Sequence, residues 1–144
     1  MGIPPRDHFG RVVPHDDCDL GEDDGVIRNI PLSQIVYDEN IQGRRISSGA
    51  FSATSGDPDN GMSVDLENLI VAAGKAPSAN VPEGMGAVRL HVGPVRGVGL
   101  KVGSDPDDSN PFHGQVWGVK KPLRSKLHDL VVDWVVAVDG VRIR

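Results

Sequence analysis

The densest set of side chains that could do chemistry is a run of positive charges late in the chain. Lys120, Lys121, Arg124 and Lys126 follow one another with no acidic residue between them, and Pro122 suits the first turn of a helix. Cations do not complement the positive amino-terminal end of a helix, so an anion bound there would offset their charge. We interpret these four residues, called the basic cluster below, as a candidate anion site. The alternative is a solvated charged surface.

A second candidate phosphate site combines an arginine with two hydroxyl groups. Arg45, Ser47 and Ser48 are close neighbours in sequence, and the planar fork of an arginine suits a phosphate or a carboxylate. With the basic cluster, these residues could hold a phosphate-bearing ligand from two sides. The alternative is a turn in which one of the two serines caps a short helix.

His113 is the candidate catalytic residue, because it follows an acidic loop at the start of a predicted strand. A structural histidine is the alternative. A metal-assisted nuclease would use this imidazole with Lys120, Asp105 and either Asp107 or Asp108. The loop lacks the glycine and glutamate that a calcium loop requires at its sixth and twelfth positions. We therefore predict no metal site, and no motif predicts a cofactor.

Several of these residues belong to short motifs that follow one another in a particular order along the chain. The motifs are Arg45-x-Ser47-Ser48-x-Ala50-Phe51, Gly61-Met62-Ser63-Val64-Asp65, Asp105-Pro106 and Asn110-Pro111-x-His113. This order resembles a group of small bacterial proteins of unknown function, over about residues 28–134. The resemblance implies no activity, but it does imply that the separated motifs belong to one design.

Charge and composition narrow the classes of function. Residues 1–67 contain 5 basic and 13 acidic side chains, residues 68–144 contain 10 and 7, and the net charge of −5 argues against general nucleic-acid binding. Cys18, the single cysteine, excludes an internal disulfide. No apolar run reaches the length of a membrane span or of a signal sequence, so we expect a cytoplasmic protein with no membrane contact.

Three functions remain, in this order. The first is a pocket, enzymatic or not, for an anion or the phosphate of a nucleotide or other small molecule. The second is a non-enzymatic accessory or immunity-type protein whose acidic half binds a protein partner. The third is the metal-assisted nuclease.

The pattern of short strand candidates without regularly alternating long helices predicts an α+β fold with a mainly antiparallel sheet and one or two packed helices. Residues 1–24 are acidic and poor in apolar side chains, which predicts a flexible, irregular arm before a single domain over 25–144. Apolar spacing predicts a helix over about 122–134. Asp139-Gly140 between two apolar runs predicts a hairpin at the end of the chain.

Overall fold

The computed structural model describes residues 2–144, and its architecture confirms the predicted α+β fold with a mainly antiparallel sheet. The strands of this part of the chain are β1 (Gly25–Ile30), β2 (Ile35–Asp38), β3 (Gly43–Ile46), β4 (Met62–Leu66), β5 (Gly86–His91), β6 (Lys101–Ser104), β7 (His113–Trp117), β8 (Asp133–Val136) and β9 (Val141–Arg142). The α-helices are α1 (Glu67–Ala72), α2 (Val92–Gly97) and α3 (Arg124–Asp129). Single 3-10 turns span Leu32–Gln34, Ser48–Phe51 and Lys121–Leu123.

Two sheets organise these elements. The large sheet has six strands in the order β6-β7-β4-β1-β5-β8, and each neighbouring pair is antiparallel. The small sheet has the order β2-β3-β9, in which β3 and β9 run parallel. None of the helices in residues 2–144 is long and apolar enough to cross a bilayer.

The main hydrophobic core covers one face of the large sheet. Val26 and Ile30 of β1 point into this core, whereas Ile27 between them belongs to a smaller cluster with Ile70 of α1. This alternation follows from the two-residue period of a strand. Phe51 and Leu127, both with no exposed surface, belong to the main core. The opposite face carries the smaller cluster and, beside it, a group of polar side chains.

The predicted helix over 122–134 is wrong in its second half. A 3-10 turn at Lys121–Leu123 leads into α3, which ends at Asp129, and Trp134 lies in β8. The spacing of apolar residues is compatible with a helix, but the β-branched run that follows Leu130 favours an extended chain. The edge of β5 supplies a partner for it, with Val88 opposite Trp134. Pairing with the sheet therefore overrides the local periodicity.

The terminal hairpin is also wrong, although the Asp139-Gly140 turn is present. Gly140 has a φ of 71°, and the Val141 N–H donates to the Val138 carbonyl at 3.1 Å. The strands on either side of this turn do not pair with each other. β8 adds to the large sheet, and β9 crosses to the small sheet beside β3.

The arm of residues 2–24 lacks regular strands and helices, and it packs along the edge of β6. The Asp17 N–H donates to the Val102 carbonyl at 2.9 Å. The Asp17 carboxylate accepts from the Ser104 N–H at 2.9 Å, and Asp16 accepts from the Val102 N–H at 3.1 Å. Leu20 joins the main core at 2% exposure. Asp16 and Asp17 therefore form hydrogen bonds with backbone groups of β6 that would otherwise be unpaired at the edge of the sheet.

Candidate functional site

A cavity of about 270 Å³ opens on the polar side of the large sheet, next to the smaller hydrophobic cluster. Strands β1, β4 and β7 form its floor, and the connections before β5 and before β7 form its walls. Its polar lining consists mainly of amide, hydroxyl, carboxylate and imidazole groups, contributed by Asn29, Ser63, Asp65, Asn80, Asn110 and His113.

The register of the strands places these groups side by side. Asp65 of β4 lies directly opposite His113 of β7, and directly opposed residues share a face with Cβ atoms about 4.5–5.5 Å apart. Ser63 lies on the same face as Asp65 because the strand period is two. The sequence Met62-Ser63-Val64-Asp65-Leu66 therefore sends its apolar residues to the main core and its polar residues to the cavity.

Arg28 fills the gap where β1 and β4 stop pairing. Their register contains Val26 with Leu66 and Ile27 with Asp65. Beyond this point the Arg28 guanidinium donates to the backbone carbonyls of Ser63 and Ala50, at 2.8 and 2.9 Å. Burial lowers the pKa of this guanidinium below its ordinary value. Its hydrogen bonds replace strand pairing, so we assign Arg28 a structural role in the cavity wall.

Asp65 ends a chain of side-chain hydrogen bonds. Asn80 Nδ2 donates to Asn110 Oδ1 at 2.8 Å, and Asn110 Nδ2 donates to Asp65 Oδ1 at 2.8 Å. Asn110 Oδ1 also accepts from the Phe112 N–H at 3.0 Å, which fixes the orientation of the amide. Asp65 is only 6% exposed, and its second oxygen, Oδ2, accepts no hydrogen bond from residues 2–144. One oxygen of this carboxylate, from a residue that lines the cavity, thus remains available to a ligand.

Asn29 supplies a second available acceptor. Its Oδ1 is buried and has no hydrogen-bond partner within residues 2–144. Most buried polar atoms in proteins are hydrogen-bonded, and an unpaired one costs about 1–3 kcal/mol. Asn29 follows Ile27 on the same face of β1, so this unpaired oxygen lies on the cavity side of the sheet.

The ring of His113 is held by the residue that begins the preceding loop. Its Nδ1 lies 2.7 Å from the Asp105 carbonyl oxygen and 3.5 Å from Asp105 Oδ2. Because a carbonyl oxygen only accepts, Nδ1 carries the proton, and Nε2 of the neutral ring has a free lone pair. Gln115 Nε2 donates to Asp105 Oδ2 at 3.0 Å and orients that carboxylate in turn.

The candidate residues from the sequence do not converge here, since only His113 lines this cavity. Arg45 donates to Asp38 Oδ2 at 2.7 Å and to the Ile46 carbonyl at 2.9 Å. Ser47 caps the 3-10 turn that contains Ser48 by accepting from the Gly49 N–H at 3.1 Å. The alternative interpretation of these serines, a capped turn, is therefore the conformation observed.

The basic cluster lies over the main core, not beside the cavity. α3 packs against the turn Ser48–Phe51, so its charged residues belong to that side of the large sheet. Lys120, Lys121 and Lys126 are exposed, and Arg124 is half-buried with an unpaired Nε. α3 has six residues and no side-chain cap, so an anion at this place would depend on the side chains and not on a long helix.

The nuclease hypothesis gains no support from the acidic loop. Asp107 accepts from the Ser109 hydroxyl at 2.7 Å and from the Asn110 N–H at 2.7 Å, which lowers the pKa of Asp107 and shapes the loop. Across residues 2–144, no group of three or more His, Cys, Asp or Glu side chains is arranged to hold a metal ion.

Sequence reasoning missed most of the cavity residues. An aspartate before an apolar run is typical of a helix cap, yet Leu66 and not Asp65 occupies the cap position of α1, without a side-chain bond. The alternation of Ser63 and Asp65 with apolar neighbours was the available signal, since it predicts one polar face. Asn29, Asn80 and Asn110 carry no comparable signal.

Comparison with known proteins yields no match to a family, to a curated protein or to a solved structure. The resemblance to small bacterial proteins therefore depends on the short motifs alone, and the function must be argued from the cavity.

Proposed function

We propose that this protein binds a small polar molecule in the cavity, and that the molecule presents several N–H or O–H donors. One observation carries the proposal: Asn29 Oδ1 is a buried acceptor with no donor within residues 2–144, and it belongs to the same cavity as the Asp65 carboxylate, whose Oδ2 accepts no hydrogen bond from the protein. A ligand that donates to Asn29 Oδ1 would remove the penalty of leaving this buried oxygen unpaired, about 1–3 kcal/mol, and a second donor could reach the Asp65 carboxylate.

The size and charge of the cavity narrow the ligand further. Drug-sized pockets usually occupy about 300–1,000 Å³, so a cavity of about 270 Å³ suits a molecule no larger than a monosaccharide or a nucleobase. The Asp65 carboxylate would repel a phosphate placed against it. A phosphate group, as favoured by the sequence, would therefore bind elsewhere, and the basic cluster is the remaining candidate.

A thermal-unfolding screen tests the proposal with defined probes: monosaccharides, free nucleobases, nucleosides and small primary amines. A compound present at 100 times its dissociation constant should stabilise the native state by about 2.7 kcal/mol. We expect at least one compound to raise the Tm of the parent protein. The same compound should have no effect on Asp65→Asn or Asn29→Ala.

Asn68→Ala is the matched control. Asn68 Oδ1 is also buried and unpaired, but Asn68 does not line the cavity, so this variant should keep the full response to the compound. Without ligand, we expect Asn29→Ala to be at least as stable as the parent, because an unpaired acceptor is removed. The proposal is wrong if no compound acts, or if the response survives both cavity substitutions.

A further inference from the structure

We infer that the cavity is catalytic and that His113 is its general base, an inference that rests on the proposed binding of a polar ligand there. His113 is the imidazole that lines the cavity. Its Nδ1–H is held by the Asp105 carbonyl, so the Nε2 lone pair is the part of the ring that remains free to accept a proton.

Two other histidines, His128 and His15, make their contacts elsewhere in the protein. His128 Nε2 lies 2.6 Å from the Ile143 carbonyl oxygen, so its proton is held by the protein and the ring is buried. The ring of His15 packs over Gly103 and beside Trp117, with a centroid separation of 5.0 Å from the indole. Neither of these two rings lines the cavity.

Asp105 acts as a positioning residue. Its carbonyl fixes the tautomer of His113, and its carboxylate, 3.5 Å from Nδ1, faces the positive charge that the ring acquires on protonation. The Gln115 amide holds this carboxylate at 3.0 Å. A base that is oriented through one nitrogen and reacts through the other is a recurrent catalytic arrangement.

The step is a proton transfer from a bound water or hydroxyl group to His113 Nε2. The Nε2 lone pair forms a new N–H bond while the O–H bond breaks, and its electron pair stays on oxygen. That oxygen then attacks the electrophile. In ester hydrolysis the C–O bond to the alcohol breaks, the leaving oxygen keeps that electron pair, and the imidazolium returns its proton to it. No oxidant, metal or cofactor enters this balance.

Hydrolysis of p-nitrophenyl acetate, an activated ester small enough for the cavity, provides the test. We expect the parent protein to hydrolyse it faster than His113→Ala by at least tenfold. The control is His8→Ala, which removes an exposed imidazole that does not line the cavity and should leave the rate unchanged. Equal rates for the parent and His113→Ala, or an equal loss in His8→Ala, would overturn the inference.

Steady-state kinetics of two Asp105 variants test the positioning role of this residue. Asp105→Asn should lower kcat several-fold and leave KM unchanged, and Asp105→Glu should restore part of the loss. A change confined to KM, or equal losses in both variants, would show that Asp105 does not act through His113.

A measurement on the unmodified protein avoids the question of variant folding. Nitrogen-15 NMR at a pH where the ring is neutral should place the His113 proton on Nδ1, and a proton on Nε2 would contradict the inference. The binding screen is read separately, since it depends on Asp65 and Asn29. If ligand binding occurs without His113-dependent hydrolysis, the catalytic inference fails and the binding proposal stands.

Discussion

Arg45 illustrates how a residue suited to a ligand can be occupied within the protein. Its Nε–H donates to Asp38 at 2.7 Å, and this hydrogen bond, with one from the Asn40 N–H, holds the pKa of Asp38 below its ordinary value. A group whose pKa is lowered by folding stabilises the native state above its unfolded pKa, about 3.9 for Asp, and loses that contribution as the pH falls.

Arg45→Gln should therefore raise the pKa of Asp38 toward its ordinary value and reduce the loss of stability between about pH 4 and pH 2. Carbon-13 NMR of the side-chain carboxyl group measures the pKa directly. Arg44→Gln is the control, because Arg44 donates to the Asp139 carbonyl and not to Asp38. An unchanged Asp38 pKa in Arg45→Gln would mean that the backbone bond alone sets it.

Sulfate tests the prediction that the exposed lysines of the basic cluster form an anion site. At constant ionic strength, sulfate should raise the Tm of the parent protein, because a ligand of the native state stabilises it by mass action. The double variant Lys120→Ala/Lys121→Ala should lose this increment. Lys75→Ala/Lys101→Ala, which removes two exposed lysines elsewhere, should keep it. An equal response in both double variants would assign the cluster to the solvated surface.

At the scale of elements, the arm and β6 depend on each other. The sequence predicts that residues 1–24 add little stability, but the docked contacts favour the opposite result. Arg96 of α2 donates to the Leu20 carbonyl at 2.9 Å and to the Asp17 carbonyl at 2.6 Å, so the arm is bonded to a helix as well as to a strand edge.

Leu20→Ala should lower the free energy of unfolding by about 2–5 kcal/mol, the range for a buried leucine. Urea unfolding measures this loss. Ile3→Ala lies in the same arm, but Ile3 is 96% exposed, and its effect should stay within about 0.5 kcal/mol. Deletion of residues 1–24 should also uncover the edge of β6 and promote association. Equal stabilities of Leu20→Ala and Ile3→Ala would support the prediction from the sequence that the arm adds little stability.

At the scale of the whole molecule, the last residues join the small sheet to α3. β9 pairs with β3 of the small sheet, while His128 of α3 bonds the Ile143 carbonyl at 2.6 Å. Arg144 donates to the His128 carbonyl at 3.0 Å. This segment therefore connects the small sheet to the helix that covers the main core.

Fluorescence can report the two sheets separately, because Tyr37, the single tyrosine, lies on β2 and both tryptophans lie on the large sheet. In the parent protein we expect the tyrosine and tryptophan signals to change at one midpoint, as in a cooperative unit. Removal of residues 141–144 should shift the tyrosine transition to lower denaturant. Arg142→Ala, an exposed position on β9, should keep the transitions together. Coincident midpoints in the shortened chain would show that β9 is not the connection.

The sequence by itself determined the class of fold. The alternation in Ala87–Val92 predicts a half-buried strand, and most of that segment is β5. The Asp139-Gly140 turn can also be predicted from the sequence, because a position with positive φ favours glycine. Such features depend on local geometry, in which a residue and its near neighbours decide the conformation.

Only the tertiary structure decided what those elements pair with and which side chains meet. The end of α3 and the position of β9 depend on vacant edges of β5 and β3, which no local pattern reveals. The cavity depends on register in the same way: Asp65 faces His113 across 48 positions of chain because β4 pairs with β7 at that residue and not at the next. If one of the two strands slipped by one residue, its own polar side chain would turn to the main core and the pair would be separated. The site therefore follows from a hydrogen-bonding register that is selected by burial over the whole sheet.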